Sequence, residues 1–138
     1  VSTTVEDLNI ATTQAIYAAV PAGDLDAALS LLDPQIRITY YGTDAIPYAG
    51  DYRGIDQAVA FFTAVGEAIE IVEMQAWKFI AQGDDLAAWG RQRFRRVETG
   101  QVWESEFAHI ITLREGRWLY FRDFMNSALT HLAFTASQ

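Results

Sequence analysis

Apolar positions recur at two different periods along this chain, and the period changes near its middle. Between residues 4 and 20, Leu8, Ala11, Ala15 and Ala19 fall at helical spacing, with Ile16 and Val20 beside them. That spacing predicts a helix with one apolar face. Thr4 followed by Asp7 supplies a capping box at its start, and Pro21 with Gly23 ends it. Asp24 then caps a second helix, Leu25 to Leu32, stopped by Asp33-Pro34. Ile36 to Tyr41 alternates and is β-branched, which predicts a strand. Residues 42–54 hold Gly42, Pro47, Gly50 and Gly54 and read as a loop. A third helix is expected over Ile55 to Val65, where Ile55, Val59, Phe62 and Val65 share a face, with Gly66 breaking it.

Beyond Gly66 the period shortens to that of strands. Four long ones are expected, at about Ile69–Gln82, Leu86–Val97, Val102–Leu113 and Arg117–Met125. Turns at Gly83-Asp84, Thr99-Gly100 and Arg114–Gly116 join them, and residues 127–134 suit a short terminal helix. Three helices followed by a meander of long strands indicate one α+β domain spanning residues 1–138. A curved, mostly antiparallel sheet would pack on three N-terminal helices and leave a cone-shaped cavity at one end.

The turns assign the faces of that sheet. A two-residue loop at Thr99-Gly100 pairs Glu98 with Gln101, and hence Gln92 with Phe107 and Gly90 with His109. It also sets Arg95 against Glu104 and Arg93 against Glu106, a favourable cross-strand arrangement. A three-residue loop at 114–116 pairs Leu113 with Arg117, so that His109 meets Phe121 and Phe107 meets Asp123. One face then carries Gln92, Phe94, Phe107, His109, Leu119, Phe121, Asp123 and Met125. It is apolar except for a Gln, a His and an Asp. The other face carries arginines, glutamates, Trp89, Trp118 and Tyr120. Its exposed rings predict a homodimer through the outer face of the sheet.

Composition narrows the chemistry. Eight Phe, six Tyr and four Trp supply rings for a core or for the walls of a ligand cavity. A net charge of −8 argues against nucleic acid and against anionic membrane surfaces. With no cysteine there is no disulfide, thiolate nucleophile or Cys-ligated metal. The two His lack ligand spacing, and there is no phosphate loop or dinucleotide fingerprint, so neither metal nor cofactor is expected. No apolar run approaches eighteen residues and no basic segment precedes an apolar one, which predicts a cytoplasmic protein.

Asp123 and His109 are the candidate catalytic residues. An Asp among Phe107, Phe121 and Met125 would be desolvated, the condition that suits a carboxyl group to proton transfer near neutral pH. The bland alternative is an Asp paired to Arg122 or another arginine. His109 would orient Asp123 or polarise a substrate oxygen; otherwise it is a core His satisfied by hydrogen bonds. Gln92 and Tyr40 are candidate substrate contacts, with Trp77, Phe94, Phe107 and Phe121 as wall or core. Arg91, Arg93, Arg95 and Arg96 resemble an anion site, but Glu104 and Glu106 opposite them favour ion pairs.

Three segments carry a family resemblance. They are Ala22-Gly23-Asp24-Leu25-Asp26 after the first helix, the glycine-rich entry to the third helix (PYAGDYRGIDQAVAFF) and the closing hairpin (FAHIITLREGRWLYFRDF). In order and spacing the chain resembles the NTF2-like superfamily, and within it the SnoaL-like, ketosteroid-isomerase-related proteins. The resemblance implies a cone-shaped fold, a pocket between sheet and helices, and a homodimer. Ketosteroid isomerases use an Asp base with a Tyr and a protonated Asp as oxyanion donors. Here those positions fall on Tyr40, Ile16 and Ala108, so that mechanism is not implied. In limonene-type epoxide hydrolases the last-strand Asp matches Asp123, while their Arg and other Asp fall near Gly90 and Gln92, or near Arg91 and Arg93 if the register slips. SnoaL-type polyketide cyclases place a His on the penultimate strand and an acid/base Asp on the last, and His109 and Asp123 match both. The implied activity is that of an isomerase, cyclase or hydrolase acting without a cofactor on a hydrophobic, oxygenated small molecule. The alternative is a non-catalytic module that binds an apolar ligand or merely dimerises.

Overall fold

A computed structural model describes residues 4–136. The elements run α1 (Val5–Ala19), α2 (Leu25–Ser30), β1 (Leu32–Tyr40), β2 (Gly50–Arg53), α3 (Gly54–Ala68), β3 (Ile69–Gln82), β4 (Asp85–Arg96), β5 (Val102–Arg114), β6 (Arg117–Met125) and α4 (Ser127–Thr135). The strands form one six-stranded sheet in the order β2-β1-β6-β5-β4-β3. Only β1 and β6 pair in parallel; the other neighbours are antiparallel. The expected α+β architecture holds, with an unclosed, curved sheet and a core between its concave face and the helices. Ile16, Ile36, Ile38, Leu86, Ile111 and Leu113 are fully buried there.

The curvature has local causes. β3 is irregular between Ile71 and Glu73 and again between Ala76 and Lys78, and each bulge bends and twists its strand. Gly90 of β4 faces Ala76 at the second irregularity. A Cβ at Gly90 would lie 1.8 Å from the Gln75 carbonyl oxygen, so only glycine lets the two backbones meet.

Several expected boundaries shift. β1 begins at Leu32 rather than Ile36 and runs through Asp33-Pro34. Pro34 falls where the β1–β6 register slips, between Leu32 and Arg37, so its missing N–H costs no ladder bond. Asp33 is held by Arg114, with Oδ1 to Nη2 at 2.7 Å and Oδ2 to Nε at 2.9 Å. Within the expected loop at 42–54 lies a four-residue edge strand, β2, too short to leave a pattern. α3 continues through Gly66 to Ala68, because a glycine weakens a helix without ending it.

Both hairpin registers also differ from expectation. The Arg96 N–H bonds to the Gln101 carbonyl at 2.8 Å, so four residues, Val97 to Gly100, form the loop. Arg93 therefore faces Glu104, Arg91 faces Glu106, and Ala88 faces His109. The slip is two residues, which preserves the face of every side chain. At the last hairpin Arg114 pairs with Arg117 across Glu115 and Gly116, whose φ values are 52° and 76°. Those angles are those of a two-residue type I′ turn, not a three-residue loop. An irregularity beside Thr112 and Leu113 then restores the parity, pairing Ile111 with Phe121, His109 with Asp123 and Phe107 with Met125. The correction reverses two residues. Trp118 is buried on the inner face, stacked on Phe121 at 4.6 Å, and Leu119 turns outward beside Tyr120.

A polar stripe on α1 locks the helix onto the hairpin ends. Asn9 Nδ2 donates to the Gly83 carbonyl at 3.3 Å and to Asp84 Oδ1 at 3.1 Å. Thr12 Oγ1 donates to the Gly116 carbonyl at 2.8 Å. The Trp118 indole N–H donates to Thr13 Oγ1 at 3.0 Å. One turn beyond Thr13 on the same face stands Tyr17.

Candidate functional site

His109 and Asp123 face each other across β5 and β6 and project into the hollow of the sheet. They are 3% and 9% exposed. His109 Nε2 lies 3.2 Å from Asp123 Oδ1. On the far side of the ring, His109 Nδ1 lies 2.6 Å from the Tyr17 hydroxyl. Phe107, Phe121 and Tyr17 pack around the imidazole, with ring centroids 4.3, 4.6 and 5.4 Å away.

The proton positions follow from the charges. Nε2 beside a carboxylate oxygen is favourable only when it carries a hydrogen. In the neutral imidazole Nδ1 is then the acceptor, and the Tyr17 O–H donates to it. The Nε2 contact is close enough for charge but badly aimed for a hydrogen bond, so neither Nε2 nor Asp123 Oδ1 has a bonded partner. Oδ1 is thus sealed beside the imidazole, while the Asp123 side chain as a whole borders the hollow.

Three phenols share this electrostatic field. Burial raises the Tyr17, Tyr40 and Tyr48 hydroxyls well above their usual range, and the negative charge of Asp123 adds to the effect on each. All three therefore remain protonated donors. Tyr40 and Tyr48 meet edge to face at 4.9 Å, and the Tyr40 hydroxyl lies 2.7 Å from Met125 Sδ.

These groups border a chamber of about 80 Å³. Tyr17, Gln92, His109 and Asp123 form its polar edge; Ile16, Phe61, Phe94, Trp118 and Phe121 are among its apolar walls. Gln92 is 6% exposed, and its Oε1 has no partner. Of the residues singled out from the sequence, Tyr40, Gln92, Phe94, His109, Phe121 and Asp123 line the chamber. Phe107 is buried against His109 without lining it. Trp77 is elsewhere: it is 49% exposed, in a depression with Arg91 and Glu104. The bulge between Ala76 and Lys78 interrupts the alternation that would have turned it inward.

Two of the hydroxyl-bearing chamber residues escaped the sequence reading. Tyr17 was legible in principle, since it follows Thr13 by one helical turn. Tyr48 lies in a loop without periodicity and left no signal. The arginines resolve as ion pairs. Arg91 bridges Glu73 and Glu104, Arg93 approaches Glu104 at 3.6 Å, and Arg95 meets Glu70 at 3.1 Å. Among the described residues there is no cluster of His, Asp and Glu suited to a metal, and no helix long and apolar enough to cross a membrane.

Comparison with known proteins agrees with this architecture. The sequence profile of a family described as the SnoaL-like domain matches residues 13–121. No curated protein matches the chain in sequence. Among solved structures, an NTF2-like protein from Burkholderia xenovorans superposes with a TM-score of 0.85 at 22% identity, covering 97% of this chain and all of that one. A candidate isomerase from Bacillus subtilis gives a TM-score of 0.85 at 17% identity, covering 97% of each chain. A candidate SnoaL-like polyketide cyclase from a Jannaschia species gives 0.81 at 19% identity, covering 100% of this chain and 99% of that one. At these identities the likeness is one of fold.

Proposed function

This chain belongs to the SnoaL-like domain family, and on that premise we propose that it is a small-molecule enzyme of the isomerase, cyclase or hydrolase type, working by acid/base catalysis with its own side chains. The observation that carries the reading is Asp123 Oδ1, buried and without a hydrogen-bond partner at the edge of an apolar chamber, beside an imidazole steadied by a phenol. In this reading Asp123 removes a proton from the carbon next to a substrate carbonyl. The electrons of that C–H bond pass to the carbonyl oxygen, giving an enolate whose oxygen accepts a hydrogen bond from the Gln92 amide. Where the substrate carries a β,γ double bond the enolate is a dienolate, and the proton held on Asp123 returns to its γ-carbon, leaving the double bond at α,β and completing an isomerisation. In a cyclisation the enolate carbon attacks a second carbonyl carbon of the same substrate instead, whose π electrons pass to its oxygen, and that oxygen takes the proton held on Asp123. His109 Nε2–H keeps a positive dipole toward Asp123, and the Tyr17 hydroxyl donates to Nδ1.

Hydrogen–deuterium exchange tests the proton transfer without knowledge of the substrate. In D2O the protein is expected to accelerate exchange at the α-carbon of small 2-alkanones, followed by NMR. Asp123→Asn is expected to slow it by about 10²–10⁴-fold, with ketone affinity largely intact. Equal exchange rates in both proteins count against catalysis.

The size of the chamber favours a second reading. Rings of Tyr17, Trp118 and Phe121 fill much of the hollow, leaving only about 80 Å³. A non-catalytic binding or dimerisation module needs no more. Under it neither protein exchanges the ketone, and His109 and Asp123 are structural.

We also propose a homodimer through the outer face of the sheet. With Trp118 buried, the support shifts to half-buried Trp89 and Tyr120 and to exposed Trp77.

A further inference from the structure

The chamber has a neighbour. Beside it opens a second hollow of about 510 Å³. Val20, Pro21, Phe62, Val65, Ile69 and Ile71 line both, so those six side chains are the partition between them. They come from the end of α1, the outer half of α3 and the start of β3. Every one is apolar. Leu25 and Val97 line the outer hollow alone, and at its rim Arg95 meets Glu70 at 3.1 Å.

Volumes decide what each compartment can hold. An engineered cavity of about 150 Å³ admits benzene, and the inner chamber has about half of that. A pocket that binds a molecule of ordinary ligand size has about 300–1,000 Å³. The inner chamber falls short of this range and the outer hollow lies within it. A ligand that reaches Asp123 therefore carries only a slender terminus inward and keeps its bulk outside.

Chemistry constrains each part. The inner terminus meets Asp123 and Gln92, each of which lines the chamber and holds a buried oxygen that lacks a donor, Oδ1 and Oε1. A hydroxyl supplies one, and so does the enol form of a carbonyl. The portion crossing the partition contacts only hydrocarbon and rings, so a charge there would be desolvated without a partner. At the rim Arg95 is already matched by a carboxylate, and the chain's net charge of −8 disfavours anions.

We propose that the two hollows form one two-compartment site for a neutral, slender amphiphile. A hydroxyl or enolisable carbonyl terminus lies at Asp123 and Gln92, and a hydrocarbon body passes between Val65 and Ile71 to rest against Leu25 and Val97. This deepens the reading of the chamber as a binding site and rests on it. The outer hollow is the part that sets chain-length preference.

A series of 1-alkanols from ethanol to 1-dodecanol probes it, with affinity read from tryptophan fluorescence and contacts from NMR. Affinity is expected to rise about fourfold per methylene and then level off. The carbinol protons of 1-decanol are expected to show contacts to His109 and Phe121, and its terminal methyl to Leu25 and Val97. Val97→Trp, an exposed position that tolerates a larger ring, is expected to cost 1-decanol at least tenfold and leave 1-butanol unchanged. Carbinol contacts at His109 with no gain along the series, or equal losses for both alcohols in Val97→Trp, overturn the outer compartment and leave the chamber standing. Alkanol contacts confined to Leu25 and Val97, with none at His109 or Phe121, overturn the chamber reading itself and this proposal with it.

Discussion

Tyr17 is the side chain that satisfies the second ring nitrogen of His109. Its hydroxyl donates to Nδ1 at 2.6 Å, and burial keeps it protonated across the whole range of working pH. Tyr17→Phe leaves a buried ring nitrogen without a partner, at a cost of about 1–3 kcal/mol. The variant is expected to fold, to keep the Nε2–H tautomer of His109 in nitrogen-15 NMR because the Asp123 carboxylate still faces Nε2, and to lose about tenfold in ketone exchange rate. A tautomer that switches in the variant would show that Tyr17, and not Asp123, sets the proton on Nε2. His109 and Asp123 were readable because strand alternation carried both to the same face. Tyr17 was not, because a helix position declares its face but not which strand residue it will meet.

Elements hold that geometry through a few contacts remote from the chamber. The Arg114 guanidinium hydrogen-bonds Asp33 and holds its carboxyl below the ordinary range. A carboxyl whose folded value is depressed stabilises the fold above its unfolded value. That contribution disappears as pH falls through the folded value. Asp33→Asn is therefore expected to lower the melting temperature at neutral pH and to narrow the gap to the parent protein in acid. A difference that stays constant from neutral pH to strongly acid conditions would refute the linkage. Gly90 is the complementary case, where the constraint is space. Gly90→Ala pushes a methyl into the Gln75 carbonyl and is expected to cost about 3 kcal/mol, near the top of the range for overpacking. Denaturant titration measures it, and a loss below about 1 kcal/mol would mean that β3 shifts freely at its bulge.

At the scale of the whole molecule the proposed dimer rests on the outer face of the sheet. Rows of Arg and Glu on β3, β4 and β5 pair with one another at the surface, where each pair contributes little. Exposed Trp77 and half-buried Trp89 and Tyr120 supply the apolar part of that surface. Light scattering is expected to find a dimer at micromolar concentration, and Trp77→Glu to shift it toward monomer. A monomeric parent protein at high micromolar concentration would remove the dimer from the account.

The chain by itself determined its helices, its four long strands and the shared face of His109 and Asp123, because side-chain periodicity is a local property. An even slip in register left that face unchanged. Tertiary structure alone decided the rest. A bulge beside Thr112 turned Trp118 inward, a bulge at Ala76 turned Trp77 outward, and α1 brought Tyr17 to the imidazole. Bulges and helix docking answer to packing between segments far apart in sequence, and a pattern read along one segment carries no record of its distant partner.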